Sequence, residues 1–409
     1  MQLRHFALAS CIILAGLIVS LPAELKAYDF KPLDAIVEHA ISDRVFPGAT
    51  LAVLYKGKVV FHRAFGNMTY SPKSAPVDTT TIYDLASLTK AVVTTSIVMQ
   101  LVEHDSLSLR APVATYFPDF AKNGKGTVTI EQLLYHTSGL RAHTYFSKSC
   151  TTPEQLFNAI AADSLLSAPG TTTLYSDLGF MLLGRIVETI TGKSLASNFH
   201  ERFAVPLGMR STMFTPPPSL LWHIAPVEKD TLWPFSRERP LVHDQNAALL
   251  GGVAGHAGLY GTTGDLVLMT AMLMNDGNSK GQVYFRPATL RTFLSRRNSP
   301  RALGWDLRSP GGHSSAGDFF SNSSYGHLGF TGTSIWIDPE KELAVILLSN
   351  RVYPTSDNIK IRAFRPLIHN TVVQCLGLVR QTSLSSAQQE AELVSTIPAG
   401  KWRWQPGVQ

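Results

Sequence analysis

A serine followed three residues later by a lysine carries the first chemistry in this chain. Residues 82–93 read IYDLASLTKAVV, with Ser87 at the mouth of an apolar run and Lys90 inside it. On a helix, positions i and i+3 are surface neighbours, so Lys90 can reach the Ser87 hydroxyl. A hydroxyl is a poor nucleophile until a base takes its proton. A lysine amine serves if burial lowers its pKa. A helix N-terminus also offers backbone N–H groups to a developing oxyanion. The bland reading of the same residues is a capped helix with a solvated lysine. Two features count against it: this is the single S-x-x-K of the chain, and Lys90 sits between Leu88 and AVV.

Two further stretches offer partners. In LYSDLGFMLLG, Tyr175 follows a Pro169-Gly170 turn and precedes an apolar helix. A tyrosine at such a corner is a candidate base if nearby cations lower its pKa from about 10. In YGHLGFTGTSIWIDP, His327 and Gly329 precede a strand, and Gly329 would let its backbone approach a substrate closely. Read singly, Tyr175 and His327 are ordinary structural residues. His243, Asp244, Asn246 and His256 lie in one glycine-rich segment, but their spacing matches no tight metal-ligand pattern, and a pocket-lining loop is the reading taken. His136, before Thr137-Ser138-Gly139, reads as structural.

The elements that must position these residues come from both ends of the chain. GATLAVLYKG and KVVFHRAFG form a predicted hairpin at Lys56-Gly57, and TSIWIDP and LAVILLSN flank a turn at residues 339–342. The middle has helical periodicity in SLTKAVVTTSIVMQLVEH, TIEQLLYHT, PEQLFNAIAADSLL, LGFMLLGRIVETITG and TGDLVLMTAMLMND. The fold class is therefore α/β in the broad sense, α+β in detail: one antiparallel sheet from both chain ends with a helical insertion. The expected division is a sheet part over about 28–86 and 300–380, a helical part over about 87–299, and a loosely held tail over 381–409.

Composition sets the limits. The chain has 409 residues, of which 44% are hydrophobic and 16% charged, which excludes a disordered polymer. The formal net charge of +6 is scattered without a basic stripe, so no nucleic-acid groove is expected. Residues 1–27 read as a signal peptide: Arg4, a 16-residue apolar run, then PAELKA with cleavage after Ala23 or Ala27. The expected location is periplasmic or secreted. A retained membrane anchor and lipidation at LASC (8–11) are the lesser alternatives. Past residue 27, Cys150 and Cys375 form no disulfide framework; two buried thiols is the reading preferred over one bridge.

Taken together, the three motifs resemble the serine β-lactamases and penicillin-binding DD-peptidases, which carry S-x-x-K, Y-x-N or S-x-N, then K-T-G or H-T-G in this order. The resemblance is greatest to the branch of class C β-lactamases, DD-carboxypeptidases and family VIII carboxylesterases. It spans roughly residues 30–375, including DLASLTK, LLYHTSGL, PGTTTLYSDLGF, PLGMRSTMF and HLGFTGTSIWIDP. It implies a Ser87 acyl-enzyme, with Lys90 and Tyr175 sharing the proton work. It also implies an oxyanion hole from the backbone N–H groups of Ser87 and Phe330, with no cofactor and no metal. The implied partners are small ester, peptide or peptidoglycan-derived substrates.

The sequence departs from that pattern in three places. Asp177 stands where many relatives carry an amide-gripping Asn; ionised, it only accepts hydrogen bonds, and it offers Lys90 a charge-assisted one. His327 replaces a lysine, and Leu328 removes a hydroxyl that could bind a substrate carboxylate. Asn358 falls where cephalosporinases carry a carboxylate-binding arginine, for which Arg351 is the candidate substitute. All three point to an esterase or peptidase rather than an efficient β-lactamase; a lactamase and a penicillin-binding sensor with little turnover are the alternatives.

Overall fold

The computed structural model describes residues 28–228, 242–297, 299–311 and 314–379. The expected signal peptide and the C-terminal tail lie outside them. A seven-stranded antiparallel sheet is the frame. Its strands are β1 (Gly48–Tyr55), β2 (Lys58–Gly66), β3 (Arg301–Ala302), β4 (Trp305–Leu307), β5 (Tyr325–Leu328), β6 (Ser334–Asp338) and β7 (Leu343–Ser349). Their spatial order is β2-β1-β7-β6-β5-β4-β3, so β1 from one end of the chain pairs with β7 from the other.

Period-2 alternation splits these strands between two cores. Leu51, Val53, Trp336, Val345 and Leu347 face one side, where helices α1 (Lys31–Ser42) and α5 (Ile361–Cys375) pack on each other. Ala52, Leu54, Ile335, Ile337, Ile346 and Leu348 face the other side, in a core continuous with the helical part. Neither α1 nor α5 is among the helices expected from the sequence. Leu33, Val37 and Ala40 mark the buried stripe of α1, whereas Pro366 inside α5 is a helix breaker by local rules and is tolerated here under tertiary packing.

Two of the inserted helices position the site. A continuous helical segment begins at Leu88, widens to a π-helix over Lys90–Thr95 and continues as α2 (Ser96–Glu103). Helix α3 is Asp177–Thr191. Helix α4, Thr263–Met274, packs on β1 and β7. It therefore belongs with the sheet, although its position in the chain put it in the helical part. Cys150 lies in the helical core and Cys375 on α5, on the other side of the sheet, and both are free thiols.

Candidate active site

Ser87 stands at the start of the helical segment, behind a strained residue. Ala86 has φ of 47°, in the left-handed region that alanine avoids. Buried Asp84 holds this turn from both sides. Its Oδ1 accepts the Ala86 N–H at 2.8 Å and its Oδ2 accepts the His243 N–H at 2.7 Å. The turn after β5 is laced to the same segment: Thr331 Oγ1 donates to Asp84 O at 2.7 Å, and Thr333 Oγ1 to Leu85 O at 3.1 Å. These bonds bring the stretch bearing Phe330 alongside the stretch bearing Ser87. A Cβ on Gly329 would lie 2.6 Å from Leu85 O and 1.9 Å from Thr333 Oγ1. What needs the glycine here is therefore the protein's own Ser87 segment, not a substrate.

Lys90 is fully buried, and its three donors meet three acceptors. Nζ is 2.8 Å from Ser87 Oγ, 3.1 Å from His256 O and 2.7 Å from Asp177 Oδ1. The His256 carbonyl can approach because Gly255 has no side chain; a Cβ there would sit 2.0 Å from Phe180 O. Burial by itself would lower the lysine pKa, but the adjacent Asp177 carboxylate and the Tyr175 hydroxyl outweigh it, and the net shift is upward. The lysine is thus an ammonium at neutral pH, not the free amine that burial alone would produce. Asp177 is held well below the usual carboxylate range, burial being overcome by Lys90 and by a 3.1 Å bond from His143 Nδ1. Both Asp177 oxygens are therefore engaged within the protein rather than offered to a substrate.

Tyr175 is buried between cations. Its ring centroid is 4.9 Å from Lys90 Nζ and 5.0 Å from the Arg301 guanidinium. Burial raises its pKa, and Lys90 only partly offsets that, so the phenol keeps its proton. Its hydroxyl feels both Lys90 and Ser87 but makes no hydrogen bond of good geometry to either. The corner that carries it is clamped by His136, which stands at φ of 58°. The His136 carbonyl accepts Leu174 N–H at 2.8 Å, its Nδ1 accepts Ser176 N–H at 2.9 Å, and its ring packs 4.5 Å from that of Tyr175.

His327 faces the same space, its ring 6.2 Å from that of Tyr175. Burial pushes its pKa down to about 4, so it is neutral. Its Nδ1 donates to Leu328 O at 2.9 Å, which leaves Nε2 as a buried lone pair without a partner among the described residues. The residue after it does not face the site. Leu328 packs with Trp336 in the core behind the sheet, so a hydroxyl at 328 would also point away, and its loss takes no substrate contact from the site.

Arg351, the candidate substitute for a carboxylate-binding arginine, is turned inward. It donates to Phe330 O at 2.7 Å and to Ser356 O and Asn358 O at 2.8 Å each, and stacks 4.3 Å from the half-exposed Phe330 ring. It holds the Phe330 turn in place. Burial lowers its pKa to about 10.

The histidines of the glycine-rich segment are paired: His243 Nε2 with Glu228 at 3.0 Å and His256 Nε2 with Asp244 at 2.8 Å. Asn246 bonds Phe146 N–H and Thr144 O. Among the described residues, His143, Asp177 and Asp244 bring one ligand atom each within 4.8 Å of one another. With the Lys90 ammonium already on Asp177, this cluster is a charge network around the lysine. His143 and Arg301 were not singled out by sequence; neither lies in a recognisable spacing, and each arrives from a separate loop or strand.

A sheet built from both chain ends, with a serine and a buried lysine beneath an inserted helical part, is the architecture of a serine hydrolase on the β-lactamase scaffold. The chain belongs to the Beta-lactamase family, whose model matches residues 33–369. It is 30% identical over 354 residues to the "Putative D-alanyl-D-alanine carboxypeptidase" of Escherichia coli K12, covering 76% of this chain and 80% of that one. It is 31% identical over 376 residues to the N-acetylmuramyl-L-alanine amidase of Bacillus subtilis, covering 80% and 82%. A penicillin-binding protein homologue from Caulobacter crescentus shares the fold at a TM-score of 0.67, with 22% identity over 85% of this chain and 97% of that one.

Proposed function

We propose that this protein is an exported hydrolase of D-alanyl-D-alanine-type peptides and related esters, acting through a Ser87 acyl-enzyme. The observation that carries this reading is the 2.8 Å contact from Lys90 Nζ to Ser87 Oγ beneath a buried Tyr175 hydroxyl that has no hydrogen-bond partner among the described residues. Because the ammonium donates to Ser87 Oγ, the serine proton is free to point elsewhere. Tyr175 is the group to take it. A neutral phenol accepts the Ser87 proton while giving its own to the leaving nitrogen or oxygen. The Ser87 Oγ–carbonyl bond forms, the bond to the leaving group breaks, and the phenol ends as it began. The Lys90 charge lowers the cost of anionic character on Ser87, and the N–H groups of Ser87 and Phe330 receive the oxyanion. Water then repeats the exchange to free the enzyme.

The carboxypeptidase and amidase names of the relatives at about 30% identity support a peptidoglycan-type substrate, and the N-terminal segment supports export. The neutral His327 and the Asp at 177 argue against efficient β-lactam turnover. The test uses residues 28–409 and Ser87→Ala on a diacylated D-Ala-D-Ala peptide, a nitrophenyl ester and a chromogenic cephalosporin. Ser87-dependent release of D-alanine and of nitrophenol is expected, with cephalosporin turnover far below both. Cephalosporin turnover above the other two would refute the reading. Stable labelling by a fluorescent penicillin without turnover of any substrate would make the protein a sensor.

A further inference from the structure

Deepening the peptidase reading above, we propose that Arg301 is the residue of this site that recognises a substrate carboxylate, such as the C-terminal carboxylate of a peptide. Arg351, the candidate from the sequence, and the other basic groups around the site are committed elsewhere. Arg351 gives its donors to three carbonyls behind the Phe330 turn. Arg365 is buried and donates to Gly329 O and Thr333 O at 2.8 Å each. Lys90 is saturated by Ser87, His256 and Asp177. His327 presents an acceptor lone pair to the site, which a carboxylate cannot use as a donor.

Arg301 differs from all of them. It lies on β3, at the edge of the sheet beyond β5, with its guanidinium 5.0 Å from the Tyr175 ring centroid. Its charge is felt at His136 and His327, which places it over the same space. One nitrogen, Nη1, is tied to Asp306 Oδ1, which fixes the head group. Among the described residues Nε and Nη2 donate to no acceptor, and the side chain keeps 19% of its surface exposed. An anchored, partly exposed guanidinium with donors to spare is suited to bidentate capture of a carboxylate. Its position beside Tyr175 sets that carboxylate on the leaving-group side of the attack, since Tyr175 is the group that protonates the leaving atom. The tie to Asp306 also lowers the net attraction for anions at large, so the gain falls on ligands that can place two oxygens on the free edge.

The test compares two aryl esters with the same acyl group, one with a meta-carboxylate on its leaving group and one without. Wild type is expected to favour the carboxylate ester. Arg301→Gln should lower kcat/KM for that ester by about 10- to 100-fold more than for the neutral one, the range of one charge-assisted contact, mostly through KM, and so close most of the gap between the two esters. Arg301→Lys should recover part of the loss. An equal fall on both esters would overturn the proposal and make Arg301 a support for Tyr175; so would an absence of wild-type preference for the carboxylate ester. Failure of the peptidase reading is seen separately, as no release of D-alanine from the peptide by an enzyme that still turns over esters through Ser87.

Discussion

Replacing Asp177 by Asn tests the central electrostatic claim, that the carboxylate and not burial sets the state of Lys90. The side chains are nearly isosteric, so the change removes a charge and little else. At 2.7 Å and an effective dielectric of about 20, the Lys90–Asp177 attraction is about 6 kcal/mol. Removing one partner of a buried pair costs about 3–5 kcal/mol while the other stays charged. The lysine can escape that cost only by giving up its proton. The sign follows from linkage. A lysine whose folded pKa is raised contributes stability that is present below its unfolded pKa and is lost as pH rises through the folded value. In Asp177→Asn that contribution is absent, and deprotonation relieves the buried charge instead. Urea unfolding at pH 7 should show the variant about 3–5 kcal/mol less stable than wild type, and the gap should narrow by pH 10. In parallel, the alkaline limb of the ester pH–rate profile should move towards neutrality. A stability gap that stays constant with pH, together with an unmoved alkaline limb, would refute the assignment of Lys90 as an Asp177-held ammonium.

Other outcomes follow from the same geometry. Gly329→Ala places a methyl 2.6 Å from Leu85 O; it should cost about 1–3 kcal/mol and depress turnover of every substrate, measured by thermal melting and ester kinetics. Arg351→Ala frees three carbonyls that tie down the Phe330 turn; kcat should fall alike on charged and neutral esters, in contrast to Arg301→Gln. His327 and His369 are buried neutral with pKa values lowered to about 4. The unfolded chain therefore binds more protons between pH 6.5 and 4, and stability should fall through that window by up to about 3 kcal/mol for each histidine. Melting at pH 7, 5.5 and 4 checks this, and replacing His369 with an apolar residue should flatten the slope.

Several parts of the site are visible in the chain itself because they are local or periodic. The Ser87–Lys90 contact is an i, i+3 relation that any helix enforces. The β-forming runs that become β1, β6 and β7 stand out in the chain, although burial on both faces leaves them without an alternating pattern, and the order of the three motifs points to the family. Residues brought from far along the chain carry no such signal. Asp177 and His256 reach Lys90 across long separations, and their arrival decides that the lysine is an ammonium, a conclusion opposite to the one burial alone suggests. Two orientations were likewise open. A strand sends neighbours to opposite faces, so β5 turns His327 to the site and Leu328 to the far core; HLGF alone leaves open which neighbour faces the site. An arginine has no preferred partner until carbonyls or carboxylates surround it. The fold commits Arg351 and Arg365 to the backbone and, among the described residues, leaves Arg301 with free donors over Tyr175. The sequence by itself determined the Ser87–Lys90 pairing and the architecture. Tertiary structure decided which protons are held and which cation stands beside Tyr175, because charge states and side-chain directions depend on contacts that no local pattern encodes.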